Sequence, residues 1–287
     1  MNKAVNSNLD HARRRRFAQT FYASPHIVWM IIFIVVPMIL IAYYAFTNDD
    51  GVFTLENFGA FFSTDYPTIF LHSVCFAFVA TVICLLIAYP LAYAITKTSP
   101  KTQGILIMLV MLPMWTNFLI RTYSLMNIIE ANGLINTVLT SLGFGRINMI
   151  NTGGAVVFGM VYNYLPYMVL PIYTVMEKMD NRLIEAAADL GCNGFQVLTK
   201  VIFPLSASGI VSGITMVFVP SVSTFYISQK LGGGKYQLIG DAIERQFQKA
   251  YDYNLGSALS FVLMILIFIS MAVMNAFDSD ENGGMVV

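Results

Sequence analysis

Charge is what this sequence has least of. Only 11% of its 287 residues are Asp, Glu, Lys or Arg, where a soluble domain carries about 25%, and the deficit excludes an ordinary soluble protein. The 16 basic and 16 acidic residues cancel to a formal net charge of zero. There is thus no global positive field to hold nucleic acid and no acidic excess of the kind that marks a disordered chain. Cysteine is scarce, with three residues. Cys75 and Cys84 lie in one apolar segment, about 13 Å apart along a helix, and Cys192 sits in a distant polar stretch. Neither a disulfide framework nor a C-x-x-C metal or redox motif is available. The three histidines, His11, His26 and His72, are too scattered for a metal site. No spacing gathers His, Cys and carboxylates as an enzyme would need, so no catalytic residue and no cofactor is expected.

What remains is apolar: 57% hydrophobic residues, with 22 Phe, 17 Met and 15 Tyr. Windows without Asp, Glu, Lys or Arg run over 17–48, 66–96, 102–120, 147–176, 201–229 and 253–277. Crossing a ~30 Å hydrocarbon layer takes about 20 apolar residues as a helix, because lipid offers no partner to unpaired backbone groups. The sequence therefore predicts an all-α integral membrane protein with six spans near 27–46, 69–96, 105–129, 155–176, 201–228 and 255–277. The third contains Arg121. The first follows Arg13 to Arg16, as a secretory signal would, but its apolar run continues through Tyr43, Tyr44 and Phe46, too long for a cleaved signal of about 7–15 apolar residues. Three regions result: a basic tail over 1–26, a six-span domain over 27–277 and an acidic tail over 278–287.

Positive charge is retained on the cytoplasmic side. With the amino terminus inside, the inner segments hold Lys3, Arg13 to Arg16, Lys97, Lys101, Lys178, Arg182 and Lys200, against Arg146, Lys230, Lys235, Arg245 and Lys249 outside. Both termini are then expected in the cytoplasm.

The inner loop over 178–200 carries unusual helix punctuation. Asp180 or Asn181 suits a helix start, Gly191 a left-handed stop, and Asn193 with Gln196 a second start at capping-box spacing. Two short helices joined by a tight bend follow. On the first, Leu183, Ala187 and Leu190 fall on one face and Glu185 and Asp189 on another. A helix lying on the membrane surface fits this pattern, and so does a thin knob inserted in a groove on another protein.

The run Glu185-Ala186-Ala187, then Gly191, then Val201-Ile-Phe-Pro204 resembles the EAA loop of ABC-importer permeases, with Val201 and Phe203 in place of Ile and Leu. Further stretches, Leu112-Pro-Met-Trp115-Thr-Asn-Phe-Leu-Ile-Arg121-Thr-Tyr123, Asn132-Gly133-Leu-Ile-Asn136, Phe225-Tyr226-Ile-Ser, Gly232-Gly-Gly-Lys235 and Leu238-Ile-Gly240, are similar to PotB-type permeases of spermidine/putrescine importers over about 27–277. The resemblance implies a six-helix permease bundle of a bacterial inner membrane with a coupling helix pair. It also implies two ATP-binding subunits, a second homologous permease, an extracytoplasmic polyamine-binding protein and a polyamine substrate. Glu185, Ala186, Ala187, Gly191 and Pro204 would then transmit force from the ATPases. The chain's own residues agree on one point. Gly232-Gly-Gly-Lys235-Tyr236 lacks the glycine spacing and the Ser or Thr of a phosphate-binding loop, so ATP hydrolysis falls to another subunit.

Carboxylates and aromatic faces are the natural partners of a cationic amine. Glu130, Trp115, Tyr123 and Tyr226 are candidate pathway contacts, although Trp and Tyr also gather at membrane interfaces as anchors. Arg121, counted along a straight third span, would lie toward the outer side, either tying helices together or lining the route. Span five carries Ser206, Ser208, Gly209, Ser212 and Gly213, a small-residue surface for packing against span four or a partner permease. Outside, 237–250 reads as a short helix with Asp241, Glu244, Arg245 and Lys249 exposed. The same machine carrying another small solute is the near alternative. An ion-coupled carrier would call for internal repeats and a mid-membrane acidic relay, which the sequence lacks.

Overall fold

The computed structural model describes residues 24–63 and 65–283. Residues 1–23 of the basic tail, with Arg13 to Arg16, lie outside them, as do the last four residues of the acidic tail. Secondary structure among the described residues is helical, apart from one isolated antiparallel bridge between Thr47 and Phe53.

Four helices are long and apolar enough to cross a bilayer unbroken: α1 (Ser24–Ala45), α3 (Tyr66–Thr96), α7 (Gly153–Glu177) and α13 (Tyr253–Gly283). The short α2 (Glu56–Ser63) precedes α3. These four begin two or three residues ahead of the expected spans, and α13 continues past 277 to Gly283. Aliphatic and aromatic runs without Gly or Pro clusters explain their length, and Pro90, Pro166 and Pro171 are accommodated inside α3 and α7.

The other two expected spans are not single rods. The third divides into α4 (Pro100–Trp115) and a second limb, α5 (Phe118–Ile129) with α6 (Leu134–Ser141), and the two limbs meet at 94°. The local chemistry accounts for the corner. Pro113 has no N–H to continue the ladder, and the last turn of α4 tightens over Leu112–Trp115. Asn117 then takes an extended conformation, its Oδ1 accepting from the amides of Leu119 at 2.9 Å and Ile120 at 3.3 Å, which starts α5 in a new direction. The expectation of one straight helix over 105–129 is thereby corrected, and so is the depth assigned to Arg121, which sits in the first turns of the second limb.

Span five likewise divides into α9 (Gly194–Leu205) and α10 (Ala207–Ser223), bent by 69° at Ser206. The Ser206 hydroxyl donates to the Phe203 carbonyl at 3.1 Å and meets the Tyr89 hydroxyl of α3 at 3.3 Å. Expected to reach residue 228, this span ends at Ser223, and Tyr226 opens a separate helix, α11 (Tyr226–Leu231). If each bent pair counts as one crossing, the crossings number up to six.

The core is built around α7, whose Val156, Met160, Met168, Val169 and Ile172 are buried. On α3, Ala77, Ala80, Cys84, Ala88 and Ala92 recur at helical spacing and are fully buried, so that the backbones of α3 and α7 approach closely. On α10, a Cβ at Gly209 would lie 2.9 Å from the Pro171 carbonyl oxygen, and one at Gly213 2.7 Å from the Met168 sulfur. Of the two partners open to the small residues of span five, Gly209 and Gly213 thus serve span four. Helix α1 packs on α13 and leaves Phe33 and Ile39 exposed, a lipid-compatible surface.

Replacing Gly209 with Leu should overpack the α7–α10 seam by about 1–3 kcal/mol, while Ser212→Leu, on the exposed side, should be silent. The check is the temperature at which the detergent-solubilised protein aggregates, expected to fall by several degrees for the first variant only.

Candidate functional site

The loop at one end of the bundle folds as its punctuation predicts. Asp180 Oδ1 accepts from the Arg182 amide at 3.0 Å and starts α8 (Asn181–Asp189). The helix ends in a Schellman turn: the Gly191 amide bonds the Ala188 carbonyl at 2.9 Å, and the Cys192 amide bonds the Ala187 carbonyl at 3.1 Å. Gly191 has φ +83°, a conformation that disfavours any residue with a Cβ. Asn193 and Gln196 then form a reciprocal capping box, both bonds at 2.9 Å, and α9 begins.

Which side of α8 faces the protein differs from the expectation that Leu183, Ala187 and Leu190 act together. Ala187 is buried and Ile184 half-buried against the core, whereas Leu183 is 48% and Leu190 86% exposed. Phe195, at the start of α9, is 74% exposed. Ile184 and Ala187, one turn apart, are the residues that bind α8 to the bundle. Leu183, Leu190 and Phe195 leave apolar surface on the outward side beside exposed Glu185 and Ala186. Pro204 is exposed two residues before the Ser206 corner. Beneath α8 lies a cavity of about 150 Å³ lined by Tyr93, Lys97, Gln103, Glu177, Ile184 and Ile202 among others. Gln103 braces its wall. Its Nε2 donates to the carbonyls of Thr96 at 3.1 Å and Thr98 at 3.0 Å, and its Oε1 accepts from the Tyr173 hydroxyl at 3.2 Å.

The middle of the bundle holds the Arg121 cluster. Arg121 Nε donates to Asn163 Oδ1 at 2.7 Å, and Nη1 donates to the Pro113 carbonyl, which also accepts from the Thr116 amide at 3.2 Å and the Thr116 hydroxyl at 2.7 Å. Asn163, fully buried in α7, donates to the Gly159 carbonyl at 2.9 Å and to Thr122 Oγ1 at 3.4 Å. The guanidinium also lies 5.9 Å from the centre of the Phe118 ring, which meets Tyr226 at 6.2 Å, and Lys230 sits 5.5 Å over Tyr226. Of the pathway candidates, Arg121 and Tyr226 are brought together through Phe118. Trp115 is 76% and Tyr123 49% exposed, and Glu130 is an exposed residue at the end of α5. Sequence reasoning misses Asn163, although the single Asn within the apolar run 153–177 is a readable signal of an intramembrane polar contact.

The remaining family-like stretches prove to be packing devices. Asn136 donates to the Glu130 and Ile147 carbonyls at 3.2 and 3.0 Å and accepts from the Ile147 amide at 2.9 Å. A Cβ at Gly133 would lie 2.4 Å from the Asn127 carbonyl oxygen. At the end opposite α8, helix α12 (Ile239–Arg245) is held to α3 by the Ile239 amide, which donates to Ser73 Oγ at 2.7 Å. Asp241, expected on an exposed face, is buried there instead, its Oδ2 accepting from the Leu238 amide at 2.9 Å. Burial pushes its carboxyl above the ordinary carboxylate range, partly offset by the neighbouring Ser228 hydroxyl and the Leu238 amide. Arg245 and Lys249 are exposed as expected, and Glu244 is half-buried.

If Asn163 is what satisfies Arg121, Asn163→Leu should destabilise the fold by about 2–3 kcal/mol, the loss of a buried hydrogen bond to a charged group. Arg121→Lys should not restore the wild-type melting temperature, because an ammonium lacks the two-pronged reach to Pro113 and Asn163. Thermal unfolding in detergent reads both.

The family described as "Binding-protein-dependent transport system inner membrane component" matches residues 13–281. The chain is 40% identical over 247 residues to the spermidine/putrescine transport system permease protein PotB of Haemophilus influenzae, covering 83% of this chain and 86% of that protein. It is 37% identical over 253 residues to the protein of the same name from Escherichia coli strain K12, covering 85% and 92%. Its fold is similar to that of a chain in the crystal structure of a bacterial ABC transporter for the acidic polysaccharide alginate, with TM-score 0.78, 15% identity, and 94% and 99% of the two chains covered. A lesser likeness, TM-score 0.55 at 17% identity over 75% and 94%, is to an inward-facing methionine ABC transporter, MetNI. With a family match over most of its length, a multi-pass helical fold and relatives at 37–40% identity, this chain belongs to the inner-membrane components of binding-protein-dependent transport systems.

Proposed function

We propose that this chain is a permease subunit of an ATP-driven importer, and that the solute it passes inward is spermidine or putrescine. The observation that carries the solute is the 40% identity, over most of both chains, to a permease named for those polyamines. The reading further has the amino terminus inside, so that α8 faces the cytoplasm and α11 and α12 face outward, in keeping with the excess of Lys and Arg around the 178–200 loop. Two ATP-binding subunits below, a second homologous permease alongside and an extracytoplasmic polyamine-binding protein complete the assembly.

Geometry supports the mechanical half of this proposal. The turn from α8 into α9 presents Leu183, Leu190 and Phe195 to the outside of the protein, an apolar set suited to a groove in a partner. On its other side Ile184 and Ala187 rest on the bundle, and α9 leads directly into the bend at Ser206. A push on α8 therefore reaches α10 through a corner held by side-chain bonds to α3, and the two sides of the pathway can exchange exposure as rigid limbs. Glu185, Ala186, Ala187, Gly191 and Pro204 are the coupling residues of this reading. Trp115, Arg121, Tyr123, Glu130 and Tyr226 remain the pathway set; the commitment of Arg121 to Pro113 and Asn163 favours a tying role for it.

Two results are expected. Reconstituted alone in vesicles, the chain should accumulate no putrescine, and with its partner subunits and ATP it should; accumulation by the chain alone would sink the proposal. Leu190→Asp and Gly191→Val, the latter costing about 1–2 kcal/mol in a left-handed turn, should leave insertion intact and lower putrescine uptake at least about tenfold, the effect of removing an anchor from an interface. Uptake at the wild-type rate in both would remove the loop from the coupling path.

A further inference from the structure

A cavity of about 330 Å³ opens at the end opposite α8, lined by Gln229, Lys230, Tyr236, Asp241, Glu244, Arg245 and Lys249 among others. Asp241 is its buried member, 8% exposed. One carboxylate oxygen caps α12 through the Leu238 amide at 2.9 Å. The other, Oδ1, is shielded from water and makes no well-formed hydrogen bond, although the Ser228 hydroxyl and the Gln229 side chain lie near enough to favour the charged form. The nearby Ser228 hydroxyl commits its hydrogen to the Phe225 carbonyl at 2.8 Å. Glu244 stands one turn along the same helix, its Oε2 accepting from Gln229 Nε2 at 3.1 Å, and its charge acts on Asp241 in the unfavourable sense.

Three cations line the same cavity without neutralising Asp241. Lys230 places its ammonium over the Tyr226 ring at 5.5 Å, and Arg245 and Lys249 lie on the exposed side of the segment. A buried carboxylate with a second carboxylate beside it and one oxygen unserved is costly as it stands. A compact cationic donor entering the cavity, met by a rotation of the Asp241 side chain that uncovers Oδ1, would satisfy the free oxygen and relieve the like-charge pair in one step.

We propose that Asp241, assisted by Glu244 and Gln229, forms a subsite for a primary ammonium group, where one end of a diamine or polyamine is held as it leaves the outer solvent. The inference rests on the polyamine reading above and deepens it, since it gives the solute a carboxylate that the spans themselves do not provide. The Tyr226 ring, at present covered by Lys230, borders the site and offers a second cation-binding face when that side chain swings away.

The test is equilibrium dialysis of labelled putrescine against the purified assembled importer in detergent, without binding protein, and of labelled methylamine as a probe of the ammonium site alone. Asp241→Asn keeps a side-chain oxygen for the α12 cap and should weaken binding of both amines at least about tenfold, as expected when one charge-assisted hydrogen bond is removed. Glu244→Gln should weaken it about two- to threefold, as a nearby charge without direct contact would, and carries the same test should the first variant fail to fold. Asp50→Asn, an exposed carboxylate elsewhere on the same side, should change nothing. Unaltered amine binding in Asp241→Asn overturns the proposal, and so does displacement of methylamine by equimolar potassium, which would make the site one for inorganic cations. An importer that fails to accumulate putrescine, yet binds methylamine in an Asp241-dependent way, removes the polyamine reading and leaves the ammonium site standing.

Discussion

A hydrocarbon layer cannot hydrogen-bond to a bare carbonyl, and at both corners of this protein the backbone carbonyls are bonded by backbone and side-chain donors. Where the third span turns through 94°, the carbonyl of Pro113 is taken up by Arg121, and Arg121 is held in turn by Asn163 of α7. Where the fifth span turns through 69°, the Ser206 hydroxyl covers Phe203 and engages Tyr89 of α3. In each case the side chain that bonds a corner carbonyl also reaches a straight helix, Arg121 through Asn163 of α7 and Ser206 through Tyr89 of α3. The bends are thus joints fastened to a rigid α3–α7 pair, and a charge costing about 2.5–3.5 kcal/mol at mid-membrane on insertion scales is compensated by the backbone group it serves.

The two ends of the bundle are built by different means. At the α8 end, short polar bonds close the turns, and apolar side chains are left uncovered on the outward face. At the opposite end, glycines bring loops against helices: a Cβ at Gly240 would lie 2.5 Å from the Ser223 carbonyl oxygen, and one at Gly233 2.1 Å from Asn151 Oδ1. The first construction leaves a surface open to a partner. The second fixes a floor beneath α12 on which a buried carboxylate can be kept unpaired.

Much of the architecture is legible in the sequence because the lipid constraint acts on composition. Charge-free windows locate α1, α3, α7 and α13 to within a few residues at their starts, and the caps at Asp180, Gly191, Asn193 and Gln196 mark α8 and α9 by local stereochemistry alone. The bends are not legible. A proline in a membrane helix is compatible with a mild kink or a full corner, and the contact that ties the corner to α7, Arg121 with Asn163, comes from far along the chain. The orientation of α8 escapes for a related reason: a helical wheel shows which residues share a face, but whether that face meets the bundle depends on a neighbouring helix. Ile184 rather than Leu183 turns inward. Asp241 escapes on the same grounds, since a short polar helix looks solvated until Ser73 of α3 is seen to hold its first turn.

The cavity under α8 has a consequence for how force is delivered. Its walls are largely polar, with Lys97, Gln103 and Glu177 among them, and its size admits several water molecules. Pressing α8 toward the bundle closes a space of that size, so any water it holds must leave, as in a hydraulic damper. On the proposed reading, in which α8 faces the cytoplasm and receives the push, the stroke is tied to local dehydration, and the thermodynamic activity of water beside α8 becomes one of the quantities that set turnover.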